Sequence, residues 1–122
     1  MKPLAAALTI AGILSGTGTV AIRAAGATTI VGYISDTKCA SASAKAKTAA
    51  EWIKPEAFER CVKDCVKEGS EAVFLTEDNK ILKLDAASAK KTTPFLGHKV
   101  RVVGNVQGST ISIESITGLK LE

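Results

Sequence analysis

Two neighbouring runs near the C-terminal end constrain the fold most. Residues 98–106 (HKVRVVGNV) place Val100, Val102 and Val106 at alternate positions, and residues 110–116 (TISIESI) do the same with Ile111 and Ile113. Alternate side chains share one face of a strand. Gln107-Gly108-Ser109 between the runs is turn chemistry, so they read as a β-hairpin with one apolar face. Ile116 falls out of step with that face. A lone hairpin is marginal in water, so the rest of the chain must cover it with more sheet or with helix.

The remaining sequence supplies both. Residues 28–35 (TTIVGYIS) are rich in β-branched side chains and read as a strand, with Gly32 as a bend or bulge. Residues 36–50 are small and polar, which suits a loop or a weak helical turn around Cys39. Pro55 then opens the clearest helix, 55–68. Its missing N–H is no loss at the first helical position, and Glu56 and Glu59 precede Lys63 and Lys67 in the sense the helix dipole favours. Phe58, Cys61, Val62, Cys65 and Val66 recur at spacings of three and four, so both helical cysteines are expected to face inwards. Gly69 is placed to end the helix in a left-handed conformation. Residues 72–75 and 81–84 flank the polar turn Glu77-Asp78-Asn79-Lys80 as a second hairpin, and 86–91 is a short helix stopped by Pro94. The expected class is mainly β with one prominent helix. Five short strands with a helix between the third and fourth is the order of a five-stranded OB-like barrel, here with a Cys-bearing helix inserted between strands 1 and 2. The alternative is an open antiparallel sheet with helix 55–68 packed across one face.

The N-terminal residues read as a leader. Lys2 precedes an uncharged run at 4–14 (LAAALTIAGIL), well short of the roughly 20 residues that span a bilayer. Ser15 to Thr19 break the run, Arg23 interrupts any longer span, and Ala25-Gly26-Ala27 offers a small-x-small cleavage site. The expected organisation is a signal peptide over 1–27 and a single domain over 28–122, exported to periplasm or medium. An uncleaved leader is the alternative and would be the only membrane contact. Cleavage lowers the formal charge from +4 to +2, because Lys2 and Arg23 leave with no acid. That charge, in mixed signs, is no footprint for nucleic acid or anionic lipid. Of the five aromatics (Tyr33, Trp52, Phe58, Phe74, Phe95) only Phe74 lies in strands 2 and 3, too little for base stacking.

The pattern Gly32-Tyr33-Ile34-Ser35-Asp36-x-x-Cys39, then Cys61-Val62-x-x-Cys65-Val66-x-x-Gly69, Val73-Phe74-Leu75, and Leu96-Gly97-x-x-Val100-x-Val102-x-Gly104-x-Val106-x-Gly108 resembles a family of small exported bacterial proteins with an OB-like domain. The resemblance covers most of residues 29–117. It implies export and the barrel, and no activity. Family members often carry Gly directly after the first cysteine and His a few residues on. Ala40 and Ser41-Ala42-Ser43 stand there in this chain, so no ligand role carries over from that loop.

Three cysteines in an oxidising compartment suggest one disulfide and one free thiol. Cys61 and Cys65 are one turn apart with Cβ vectors tilted the same way, which strains a bridge within the helix. Cys39 bonded to Cys61 or Cys65 is the expected pairing. It closes a loop of about twenty residues, worth about 3 kcal/mol through chain entropy. Metal chemistry is the alternative: Cys39, Cys61 and Cys65 offer soft sulfur to copper or zinc, with Asp36 or His98 as a fourth ligand. Thiol exchange is disfavoured by the Cys-x-x-x-Cys spacing. No catalytic set is apparent. His98 is the sole histidine, Ser41 and Ser43 lack a nucleophile-elbow context, and Ser88-Ala89-Lys90-Lys91 matches Ser-x-x-Lys without its partner motifs. Glu77 and Asp78 sit in a turn, and no phosphate-binding or calcium loop is present. The expected function is a non-enzymatic, exported, disulfide-stabilised module for a protein, glycan or small ligand, without nucleic acid or cofactor. A soft-metal binder is the second reading.

Overall fold

The computed structural model describes residues 27–120; the expected leader, but for Ala27, lies outside them. The chain runs β1 (Thr28–Asp36), α1 (Thr37–Ala42), a 3-10 turn (Ala49–Glu51), α2 (Pro55–Lys67), β2 (Ala72–Thr76), β3 (Ile81–Leu84), α3 (Ala86–Thr92), a second 3-10 turn (Thr93–Phe95), β4 (Lys99–Gln107) and β5 (Thr110–Leu119). It is mainly β, with the helices in the connections, as the sequence led one to expect. No helix among the described residues is long and apolar enough to cross a membrane.

Four of the five strand pairings are antiparallel and one is parallel. β1 is antiparallel to both β2 (Gly32↔Thr76 to Asp36↔Ala72) and β4 (Thr28↔Gly104 to Tyr33↔Lys99). β2 pairs with β3, and β4 with β5, also antiparallel. β3 meets β5 in parallel at Lys83↔Thr110 and Leu84↔Ile111, so the order β1-β2-β3-β5-β4 returns to β1.

Two cores result. Ile34, Phe74, Val100, Val102, Ile111 and Ile113 are enclosed by the sheet. Tyr33, Val73 and Leu75, on the other face of β1 and β2, pack under the α1–α2 layer with Cys39, Ala40, Ala49, Ile53, Phe58 and Val62. This explains the sequence pattern. β2 and the second half of β1 are covered on both faces, so neither shows a clean polar–apolar alternation, whereas β4 and β5 are covered on one face and alternate.

The phase slip at Ile116 has a structural cause. The β4–β5 register passes from Val103↔Ser115 to Gly104↔Ile113, leaving Glu114 as an extra residue. This bulge moves Ile116 onto the inner face, where it packs against the enclosed core. Val106, expected inside, is instead 42% exposed near the hairpin turn. Gly32, expected as a bend or bulge, sits in unbroken register with both neighbours. Its glycine is needed for space: a Cβ there would lie 2.5 Å from both the Phe74 ring and the Leu75 carbonyl oxygen.

Candidate metal centre

Local sequence fixes where Cys39 points. Asp36, fully buried at the end of β1, caps α1: its Oδ2 accepts the N–H of Lys38 at 2.9 Å and of Cys39 at 3.3 Å. The same oxygen accepts the Ser70 hydroxyl at 2.7 Å, and Ser70 Oγ is also 3.0 Å from Thr37 Oγ1. The Thr37 N–H donates to the Glu71 carbonyl at 2.9 Å. Ser70 directly follows Gly69, whose φ of +109° ends α2 and lets the Ser70 N–H reach the Cys65 carbonyl at 2.9 Å. The start of α1 and the end of α2 are therefore tied together, with Cys39 facing α2.

The three sulfurs converge. Sγ of Cys39, Cys61 and Cys65 all lie within 4.8 Å of one another, and Cys39 and Cys65 are 3.9 Å apart. Sulfurs about 2.3 Å from one ion sit about 3.8 Å apart in a tetrahedron and about 4.0 Å apart in a trigonal plane. One soft ion fits the cluster with little adjustment. The expected disulfide is not formed: all three cysteines are free, and the 3.9 Å of the Cys39–Cys65 pair compares with about 2.0 Å for a bond. The three sulfurs cluster rather than closing as a pair.

The expected burial of both helical cysteines also needs correction. Phe58 and Val62 are buried, Cys65 and Val66 are half-buried, and Cys61 is exposed. At about 100° per residue the buried stripe centres between Val62 and Cys65, leaving Cys61 on one flank beside α1. The donors thus run from buried Cys39 through Cys65 to solvent-exposed Cys61.

Burial, and then the Asp36 carboxylate, push the Cys39 thiol far above its ordinary range; burial is also the main cause of the raised Cys65 thiol. Both are protonated at neutral pH, which makes these two sulfurs poor nucleophiles. An ion entering the cluster must displace these protons, and its charge reverses the local bias.

Neither expected fourth ligand joins the sulfurs. Asp36 neighbours them through Cys39 but lies outside the three-donor group, with Oδ2 occupied as the cap; its buried Oδ1 has no hydrogen-bond partner. His98 is on the opposite flank of α2, where Nε2 lies 3.2 Å from Glu59 Oε2. Glu59 also accepts Lys63 Nζ at 2.6 Å, and these two bonds, Lys63 first, hold its carboxyl below the usual range. The other motif resolves as architecture. Ser88 Oγ accepts the Ile113 N–H at 2.7 Å while Lys91 Nζ donates to the Ile113 carbonyl at 2.8 Å, tying α3 to β5.

Asn79 is a contributor that sequence reasoning read only as turn. It adopts φ +65°, accepts Trp52 Nε1–H at 2.9 Å and donates to the carbonyls of Ser43 and Ala46, each at 2.9 Å. It thereby pins the segment between α1 and α2 to the β2–β3 turn. Asn in a polar turn is the usual signal for a left-handed residue, but nothing local announces the distant partners. Trp52 so held packs edge-on against Phe58 at 5.5 Å. Beside them is a cavity of about 170 Å³ lined by Cys39, Trp52, Lys54, Ala57, Phe58 and Cys61.

No family model, curated protein or solved structure matches the chain.

Proposed function

We propose that this protein is a small soft-metal-binding module, an OB-type closed barrel whose inserted helical layer presents Cys39, Cys61 and Cys65 to one Cu(I) or Zn(II) ion. The observation that carries this is the mutual approach of the three sulfurs within 4.8 Å. Three sulfur donors without nitrogen or carboxylate suit a soft ion rather than magnesium, calcium or manganese. The barrel assignment is supported by the returning strand order and by α3 between β3 and β4. The leader-like residues 1–27 support export to periplasm or medium, and the raised thiols of Cys39 and Cys65, with no acid–base set at recognisable spacing among the described residues, support binding rather than catalysis. A protein, glycan or other small-ligand partner for the barrel surface fits the same module; nucleic acid does not, given the scarcity of aromatics.

The test is titration of the reduced protein with Cu(I) or Zn(II) in competition with a chromophoric chelator, followed by alkylation. One ion bound per chain, shielding all three thiols together, supports the reading. Three thiols that stay fully alkylatable, or a native disulfide that leaves no metal site, sink it.

A further inference from the structure

A divalent ion held by three sulfurs keeps a fourth tetrahedral position. Among the described residues no carboxylate or imidazole joins the three sulfurs, so the fourth ligand comes from outside the donor group. The cavity beside the cluster shows the route. Cys39 and Cys61 form part of its wall and Cys65 does not, so it meets the sulfur triangle along the edge where Cys61 is already exposed. Its remaining walls are Trp52, Phe58 and Ala57, which are apolar or aromatic, and Lys54, the one charged side chain among the described residues that line it. Lys54 makes no ion pair among the described residues. The volume of about 170 Å³ equals the liquid share of about six waters, room for a ligand of roughly that many heavy atoms.

We propose that the cavity admits a small aliphatic thiol bearing a carboxylate, its sulfur completing the coordination of the bound divalent ion and its carboxylate meeting Lys54. This rests on the three-cysteine metal site proposed above. In the exchange step the thiol releases its proton to solvent, its sulfur forms a bond to the ion, and the water molecule in the fourth position leaves. No electrons are transferred. The apolar walls flank the carbon chain, and Lys54 selects an acid over a neutral thiol of similar size.

Cobalt(II), a coloured stand-in for zinc, reads each part. Reduced full-length protein is loaded with one Co(II) and titrated with 3-mercaptopropionate or, for comparison, with 2-mercaptoethanol. The expected result is a saturable rise in sulfur-to-cobalt absorption, with cobalt still on the protein and the acid binding more tightly than the alcohol. Lys54→Ala should weaken the acid about two- to five-fold, the range of an exposed ion pair, and leave the alcohol and the affinity for cobalt unchanged. No rise, loss of cobalt to the free thiol, or equal binding of the acid to the Lys54 variant would overturn the proposal while leaving the three-sulfur site intact. Cobalt that fails to engage three protein thiols in the first place overturns the metal site itself.

Discussion

Ser70→Ala tests whether the tie between α1 and α2 sets the sulfur cluster. The hydroxyl donates to Asp36 Oδ2 at 2.7 Å and lies 3.0 Å from Thr37 Oγ1. Asp36 is fully buried and already has one unpartnered oxygen, so removing the hydroxyl leaves its carboxylate with only the two backbone donors of α1. A hydrogen bond to a charged group contributes about 1.5–3 kcal/mol. In a domain of this size that corresponds to a fall in Tm of about 6–24 °C. Because Cys39 is held against α2 through this contact, affinity for Zn(II) should drop about 10–100-fold, the usual range for groups that orient metal ligands. Ser70→Thr keeps the hydroxyl and should recover most of both losses. The assays are thermal melts of the reduced apoprotein and chelator competition at fixed pH. An unchanged Tm would refute the energetic role of the bond. A lowered Tm with unchanged metal affinity would refute the claim that α1 docking spaces the sulfurs.

Three further outcomes follow from the packing. Gly32→Ala puts a Cβ 2.5 Å from the Phe74 ring and from a backbone carbonyl, and should cost about 1–3 kcal/mol in urea unfolding, partly relieved by Phe74→Leu; additivity of the two changes would count against steric coupling. Asn79→Ala should destabilise by about 1–3 kcal/mol and speed proteolysis between residues 43 and 52, whereas Asn79→Gly restores the backbone but not the three side-chain bonds. The Ser112 hydroxyl and then Ser88 hold the Asp85 carboxyl down to about 2. Its folded pKa lies below the unfolded value of about 3.9, so its stabilisation is present above that pH and is lost as pH falls towards 2. The stability difference between wild type and Asp85→Asn should therefore shrink across pH 4 to 2, and a constant difference would contradict the assignment.

What was legible from the residues was local. β3 was expected and found at Ile81–Leu84, and α2 ends within a residue of its expected limit because Pro55 and Gly69 are chemical punctuation. Even the bulge left a trace, in the misplaced phase of Ile116, although that trace did not show that Glu114 was the extra residue. The parallel β3–β5 contact had no local sign, because it joins Leu84 to Ile111 across α3 and β4. The candidate metal centre was half legible. Cysteine as a soft donor was evident and the three residues were named, but the choice between a bridge and a shared focus depends on the Asp36–Ser70 tie, which joins residues 34 apart in sequence. Spacings of three and four group Cys61 with the buried stripe, but at about 100° per residue it falls on the flank of a stripe centred between Val62 and Cys65, and it is exposed.

X-ray absorption at the zinc edge of the reduced, one-to-one zinc complex, prepared without added thiol, tests the central claim most directly. Three sulfur scatterers at about 2.3 Å with one light atom completing the shell are predicted. Two sulfurs or fewer, or a shell of nitrogen and oxygen alone, would contradict a shared three-cysteine centre.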